Sequence, residues 1–272
     1  MSKRMTRKQL IWFLANRRRK RMAREEKEER ADYAWSELEH ISVSDISANK
    51  LTDAQVRGKY NFGIGDTREV EVGGVVHHVR LIGINHDNLS DGSGKAGLTF
   101  QLVELLPDLT VHWPTNTNGR GWIESLIRTE RLPEVKKLLP PDLQGAIKSV
   151  NKLASNGTDR PEADRRVITT ADELFLLAGV EIIGTSIGTG AGSLIWHAGE
   201  GERYEYWSGV PNDASGNEQR IKRRLGFENP NAWGLRSANR VSAADFCSVS
   251  SAGLIHITRA NINTGISFAF CV

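Results

Sequence analysis

The chain has 272 residues, of which 39% are hydrophobic, and 36 Lys and Arg oppose 33 Asp and Glu for a formal net charge of +3. This size and apolar content indicate a globular protein with a real core, and two cysteines are too few for a disulfide framework. The longest apolar run near the N-terminus is Leu10–Leu14. Because a membrane span needs roughly 20 apolar residues, we expect neither a transmembrane helix nor a signal peptide.

The positive charge is concentrated in an N-terminal arm. Residues 1–30 contain twelve Lys and Arg against four Glu, a net charge of +8, which leaves −5 for residues 31–272. Residues 3–40 lack Pro and Gly, so the sequence predicts a basic helical arm over residues 1–40. The residues expected to dock onto other proteins or to contact nucleic acid are Trp12, Phe13, Arg17, Arg18, Arg19, Lys20 and Arg21. A solvated helix face and an interfacial amphipathic helix remain alternatives for this arm.

Residues 41–59 predict a connector, and residues 60–272 predict the globular body. Ser44 and Thr52 are candidate N-caps of short helices in the connector. The two alternating runs 69–72 and 75–82 flank Gly73-Gly74, which predicts a β-hairpin. A loop at 85–97 and a strand at 98–103 follow.

Helical segments are expected next, and strands close the chain. Helices are predicted at 122–129, 132–139 and 143–154, with Pro141 in the first turn of the third. Val180–Ile183 is predicted as a short strand, and residues 184–232 as mostly loop. The last strands are predicted at 233–237, 244–249, 253–258 and 265–271. The fold class is therefore α+β, an antiparallel sheet with packed helices and long ordered loops.

No motif with catalytic or cofactor-binding spacing stands out. Gly63-Ile-Gly65 and the glycines of 188–192 lack the context of a phosphate-binding loop. The Asn- and Asp-rich loop 85–94 offers oxygen ligands for calcium, but a loop that bonds to its own side chains explains it better. Cys247 and Cys271 are expected to be buried thiols, and the sequence leaves open whether they pair. We predict a protein that is not an enzyme and that holds no cofactor and no metal.

The body resembles the DUF6273 family, a domain of unknown function common in bacteriophages and prophages of Gram-positive bacteria. The resemblance rests on blocks in the order Phe62–Asp66, Ile82–Asp87 with Ser90–Gly97, Thr115–Asn118, Gly121–Arg128, Leu139–Leu143, Ile147–Lys152, Glu173–Leu177 with Glu181, Trp233–Ser237 and Gly265–Val272. This chain has Trp233-Gly234 where the family pattern has Trp-Trp. The layout of the C-terminal half is also similar to the C-type-lectin-like fold of phage receptor-binding proteins and of diversity-generating-retroelement variable proteins.

These resemblances imply a rigid scaffold with a C-terminal contact surface. Trp233, Leu235, Arg236, Phe246, Phe268 and Phe270 are expected in the scaffold, and Val249, Ile255 and Ile257 are expected to face inward. The expected ligand-binding residues are Ala238, Asn239, Arg240, Ser242, Asp245, Ser248, Ser250, His256, Thr258, Arg259, Asn261 and Asn263.

The implied function is that of a bacteriophage virion protein of the tail or another appendage, which attaches to a host-surface glycan or protein. Its other expected partners are virion proteins bound by the arm and further copies of itself, in a homo-oligomer that three-fold symmetry would suit. It would be assembled in the host cytoplasm and exposed on the released particle. The alternative is a decoration or interior protein of the phage head, whose basic arm contacts DNA or the capsid.

Overall fold

The computed structural model describes residues 33–108, 110–184 and 199–272. Its α-helices are α1 (Trp35–Ile41), α2 (Asp53–Tyr60), α3 (Leu132–Lys137), α4 (Pro141–Ala146), α5 (Gly179–Ile183), α6 (Glu205–Ser208) and α7 (Asn217–Arg220). Its strands are β1 (Thr67–Val72), β2 (Val75–Ile84), β3 (Leu98–Leu102), β4 (Val150–Ser155), β5 (Val167–Asp172), β6 (Leu174–Phe175), β7 (Lys222–Arg223), β8 (Pro230–Asn231), β9 (Trp233–Ala238), β10 (Asp245–Val249), β11 (Ile255–Arg259) and β12 (Ala269–Cys271). The predicted docking residues of the arm, from Trp12 to Arg21, lie outside the described residues.

The helices and the antiparallel sheets make the fold α+β, as the sequence predicts. A five-stranded sheet has the order β1-β2-β3-β12-β6, and a three-stranded sheet has the order β11-β10-β9. Two hairpins, β4-β5 and β7-β8, complete the strand pairing. The predicted hairpin between β1 and β2 is confirmed, and both Gly73 and Gly74 have positive φ, as a tight two-residue turn requires.

The last strand of the chain lies inside the five-stranded sheet. β12 pairs with β3 on one side and with β6 on the other. Phe270 stacks on Phe100, with ring centroids 5.7 Å apart, and the Trp35 ring packs edge-on against both. The scaffold residues predicted in the C-terminal segment are all buried. This core therefore joins the two ends of the described chain.

The hydrophobic core extends across the boundary at residue 60 that the sequence predicts. Trp35, Leu38, Ile46 and Val56 are buried in the same core cluster as the sheet residues. The Asp142 carboxylate accepts a hydrogen bond of 2.7 Å from the backbone N–H of Trp35. The N-cap predicted at Thr52 is confirmed, since its side chain accepts from Gln55 N. The segment from Trp35 to Val56, which the sequence assigns to the arm and the connector, thus packs as part of the globular body.

Several predictions of local structure are wrong. Ser44, predicted as an N-cap, lies inside the π-helix Ser42–Ser47, and residues 122–124 of the helix predicted at 122–129 form a turn. The helix predicted over 143–154 ends at Ala146, and Val150–Ser155 forms β4. The strand predicted at Val180–Ile183 is helix α5, because the Glu181 side chain accepts from the backbone N–H of Ala178 and caps its start. In both places a buried charged residue, Lys152 or Glu181, stands among apolar neighbours. Its ion pairs, described below, form between distant segments and override local preference.

Candidate functional site

The structure divides the predicted ligand-binding residues into three groups. Those that are exposed are Arg240, His256, Arg259, Asn261 and Asn263. Those that are partly exposed are Ser242, Asp245, Ser250 and Thr258. Ala238, Asn239 and Ser248 are buried, so in this structure their side chains offer no surface to a ligand. Ile257, expected to face inward, has 38% of its surface exposed because β11 is the outer strand of its sheet.

Both faces of the three-stranded sheet are covered at its central strand, β10, whereas His256 and Ile257 of β11 are exposed. On one side Cys247 and Val249 belong to the main core. On the other side the His112 ring stacks on Phe246, with centroids 3.9 Å apart and an interplanar angle of 2°. The surface that a partner can reach is therefore the outer edge of β11 and the loops at the ends of the strands.

The loop between β9 and β10, residues 239–244, is held rigidly from below, and we name it the contact loop. The buried Asn118 side chain donates to the backbone oxygens of Asn239 (3.1 Å), Ser242 (2.8 Å) and Asp245 (2.9 Å). Its Oδ1 accepts from Thr158 N at 2.9 Å. These bonds fix the loop before any ligand arrives, which lowers the entropy cost of binding.

The buried Asn239 side chain positions the contact loop from inside. Its Oδ1 accepts from the backbone N–H of Val241 at 2.8 Å and of Ser242 at 3.2 Å. This internal turn pushes Val241 outward, where 71% of its surface is exposed, next to the exposed Arg240. The contact loop therefore presents an apolar side chain and a cation side by side to solvent.

The close packing around Gly234 shows why this chain has no second tryptophan at the position where the family pattern has Trp-Trp. A Cβ at Gly234 would lie 2.8 Å from Thr264 Oγ1 and 3.2 Å from His112 Nε2. No larger side chain fits there without a shift of the strand. The imidazole of His112 lies beside the glycine, and burial lowers its pKa to about 3.

A buried ionic network, missed from the sequence, lies beneath the three-stranded sheet. We define it by Asp87, Lys152, Glu181 and Arg236, all nearly inaccessible to solvent. Lys152 Nζ lies 2.6 Å from Asp87 Oδ1 and 2.8 Å from Glu181 Oε1. The two cations balance the two carboxylates, so each charge is compensated inside the protein.

Arg236 joins β9 to three other segments through every donor of its guanidinium group. It contacts both Glu181 carboxylate oxygens, at 2.5 Å and 2.7 Å. Its remaining donors bind the backbone oxygens of Leu153 (3.0 Å), Leu176 (2.8 Å) and Glu200 (2.8 Å). A planar fork of five donors is matched by five acceptors, which only arginine can provide.

Glu200 adds a titratable carboxyl group to the edge of the ionic network. Burial raises the pKa of Glu200 to about 7, although the hydrogen bonds from Ser237 Oγ and from the backbone N–H of Ser155 lower it in part. Burial alone would also raise the pKa values of Asp87 and Glu181. For Asp87 the Lys152 ammonium group, His86 and the Thr99 hydroxyl together outweigh burial, and for Glu181 the Arg236 guanidinium group and Lys152 together do so, and both pKa values are therefore lowered.

The ionic network is suited to holding the fold and not to nucleophilic chemistry. Cys271 Sγ lies 3.4 Å from Asp87 Oδ2, and burial raises the pKa of this thiol well above its usual value. Burial and the carboxylates likewise raise the pKa of the Tyr204 hydroxyl, which donates to Asp87. Both cysteines are buried, and Cys247 and Cys271 form no disulfide with each other.

The sequence did carry a signal for this network. Asp87, Lys152, Glu181 and Arg236 each lie in one of the blocks on which the family resemblance rests. Lys152 lies on the same face of β4 as the buried Val150 and Ala154, so a charged residue stands at an inward position of a strand. Such a residue requires a buried partner of opposite charge.

Within residues 33–108, 110–184 and 199–272, no group of three or more His, Cys, Asp or Glu residues could hold a metal ion. The loop at 85–94 bonds to itself, since Asp91 Oδ1 accepts from Ser93 N at 2.9 Å and Ser93 Oγ at 2.7 Å. None of the helices in the described part of the chain is both long enough and apolar enough to cross a membrane.

Comparison with known proteins identifies one family. Its model, described as a domain of unknown function (DUF6273), matches residues 103–272. The blocks before residue 103, including the one that contains Asp87, lie outside this match. No curated protein and no solved structure matches the chain significantly. The match spans more than half of the chain and includes Lys152, Glu181, Arg236 and the contact loop, and the chain therefore belongs to the DUF6273 family.

Proposed function

We propose that the chain is a bacteriophage virion protein of the tail or another appendage, which binds a host-surface glycan or protein without catalysing a reaction. In this proposal the body has a C-type-lectin-like fold and presents the contact loop. The basic residues 1–30 dock onto other virion proteins, whereas Trp35 and Leu38 at the end of the predicted arm are buried in the body. The protein is assembled in the host cytoplasm and exposed on the released particle.

The contact loop is the observation that carries this proposal. A buried asparagine, Asn118, fixes a loop that exposes a large apolar side chain and a cation side by side, Val241 and Arg240. The ionic network anchors the preceding strand through Arg236. Substitutions at exposed loop positions change stability by only about 0.5 kcal/mol, so such a surface can vary while the scaffold stays intact.

Attachment through this surface would gain strength from the number of copies. A single loop offers a small contact area, which favours a weak individual interaction. Many copies on one particle would raise the overall strength of attachment through a high effective concentration. A weak site and a multivalent particle therefore fit together in this proposal.

Cell binding by the purified protein tests the proposal. A labelled full chain should bind host cells. Val241→Asp should reduce binding about tenfold or more, because the complex with the ligand would bury an unpaired charge at this position. Val76→Asp is the matched control, because Val76 is 49% exposed on β2, far from the contact loop in the chain. Equal binding by both variants would overturn the role of the contact loop.

Localisation requires a separate measurement. Mass spectrometry and immunolabelling of purified particles should find the protein on an external appendage. Absence from the particle would refute the proposal as a whole. A position inside the head would favour the second candidate.

The second candidate, a head protein whose arm contacts DNA or the capsid, is favoured by the net charge of +8 in residues 1–30. Contacts between Lys or Arg and phosphates release counterions, so binding to DNA would weaken steeply with salt. Deletion of residues 1–30 separates the two functions. Loss of salt-sensitive DNA binding supports the head protein, whereas loss of assembly with DNA binding unchanged supports the appendage protein.

A further inference from the structure

The outer edge of β11 carries backbone groups with no partner in the described part of the chain. β11 is the last strand in the order β11-β10-β9, and its register with β10 is regular from Asp245–Arg259 to Val249–Ile255. An edge strand of this kind is a template for another strand. The question is which chain pairs with it.

The register shows which groups face the open edge. Ala260 N donates to Ala244 O at one end of the β10-β11 ladder, and Ser250 N donates to Leu254 O at the other. Hydrogen-bonded pairs recur at every second residue of an antiparallel ladder, so the backbone groups of His256 and Thr258 bond to β10. Those of Ile255, Ile257 and Arg259 point outward. Among the described residues, only Ile262 N binds one of them, the oxygen of Arg259.

The edge lacks the features that usually prevent strand addition. Proteins protect such edges with proline, charged side chains such as lysine, bulges or very short strands, and the one permanent charge of β11, Arg259, stands at its end. β11 has the sequence Ile-His-Ile-Thr-Arg, with no proline, no lysine and no register shift against β10. Exposed apolar side chains lie along it, with Leu254 before the strand (49% exposed), Ile257 at its centre and Ile262 beyond its end (52% exposed).

We infer that two copies of this chain pair through β11, antiparallel and about a two-fold axis at Ile257. The outward backbone groups then join Ile257 to the partner's Ile257, and Ile255 to the partner's Arg259. The two three-stranded sheets become one continuous six-stranded sheet. This inference does not rest on the proposed function, because it needs only the edge strand.

The side chains on this edge suit self-pairing. Two β-branched isoleucines face each other at the axis, a favourable cross-strand pair. Arg259 lies opposite the partner's Ile255 and not opposite another cation, and His256 lies opposite the partner's Thr258. Leu254 approaches the end of the partner strand from which the partner's Ile262 continues. No directly opposed pair brings like charges together, which would disfavour the contact.

Charge substitution at the axis tests this pairing. Sedimentation equilibrium of the full chain should show a reversible monomer–dimer equilibrium. Ile257→Lys and Ile257→Glu each place like charges opposite one another, so each variant should dimerise about tenfold more weakly or worse. An equimolar mixture of the two should regain dimers, because Lys then faces Glu. Val76→Lys, at a similarly exposed strand position, should associate as the unchanged chain does.

Several results would overturn the inference. They are a full chain that is monomeric at every concentration, an Ile257→Lys variant that associates normally, and a mixture of the two variants that stays monomeric. Amide exchange gives an independent readout, since the N–H groups of Ile255, Ile257 and Arg259 should gain protection as dimers form. Protection of these amides in a monomer would mean that another segment of the same chain covers the edge. Thermal unfolding of each variant shows that it is folded.

Discussion

Replacement of Arg236 by methionine should destabilise the protein more than any change in the contact loop. Methionine keeps much of the length and apolar volume of arginine but removes the charge and all five donors. Glu181 then loses its two contacts at 2.5 Å and 2.7 Å, and three buried backbone oxygens lose a donor. The change therefore isolates the electrostatic and hydrogen-bonding role of the side chain.

The expected loss is about 3–4 kcal/mol. Removal of one partner of a buried ion pair typically costs about 3–5 kcal/mol. The lower part of that range applies because Lys152 Nζ still lies 2.8 Å from Glu181 and compensates part of its charge. This is a large fraction of the roughly 5–15 kcal/mol that stabilises an ordinary protein.

Urea unfolding with linear extrapolation measures the loss. Arg240→Met is the matched control, because Arg240 is exposed in the adjoining contact loop, and it should change stability by less than about 0.5 kcal/mol. In the Glu181→Gln background, Arg236→Met should cost at least about 1 kcal/mol less than it does alone, since no unpaired carboxylate remains. A loss below about 1 kcal/mol for Arg236→Met, or strict additivity of the two changes, would refute this account of the ionic network.

Three further predictions concern the groups buried around β9. Since the pKa of Glu200 is raised from 4.5 to about 7, its stabilising contribution is lost as pH rises through that window. Between pH 4.5 and pH 7 the free energy of unfolding of the unchanged chain, measured with urea, should fall by about 3 kcal/mol more than that of Glu200→Gln. The same pH dependence of stability in both proteins would contradict this. The pKa of His112 is lowered from 6.5 to about 3, so stability relative to His112→Phe should fall by about 1.4 kcal/mol per unit as pH drops below 6.5; a constant difference would refute it. Gly234→Ala should lower the free energy of unfolding by about 1–3 kcal/mol, because its Cβ would meet Thr264 Oγ1 at 2.8 Å, and an unchanged value would show that the strand shifts freely.

Substitutions in the ionic network and in the contact loop differ in their cost in stability. Loss of Arg236 or Glu181 leaves a buried charge without a partner, which is costly wherever it occurs. Change at Arg240 or Val241 alters only an exposed surface. The proposed binding function would use this division, in which a fixed interior carries a loop whose side chains can change at little cost in stability.

Patterns between neighbouring residues predicted much of the local structure. Gly73-Gly74 between two alternating runs specified the first hairpin, and Thr52 with Gln55 specified the start of α2. Local patterns failed at Val180–Ile183, where the apolar, β-branched run favours a strand but the Glu181 side chain caps a helix. They also failed at 150–155, because the partner of that strand is β5 and the partners of Lys152 are Asp87 and Glu181.

The sequence by itself determined the fold class and the charge split between residues 1–30 and the rest of the chain. These properties depend on composition and on periodicity within single elements. Only the tertiary structure decided that Asn239 and Ser248 are buried, that Ile257 lies on an open edge and that Arg236 holds four segments together. Burial at an alternating position depends on which strand lies beside it, and that neighbour comes from a distant part of the chain.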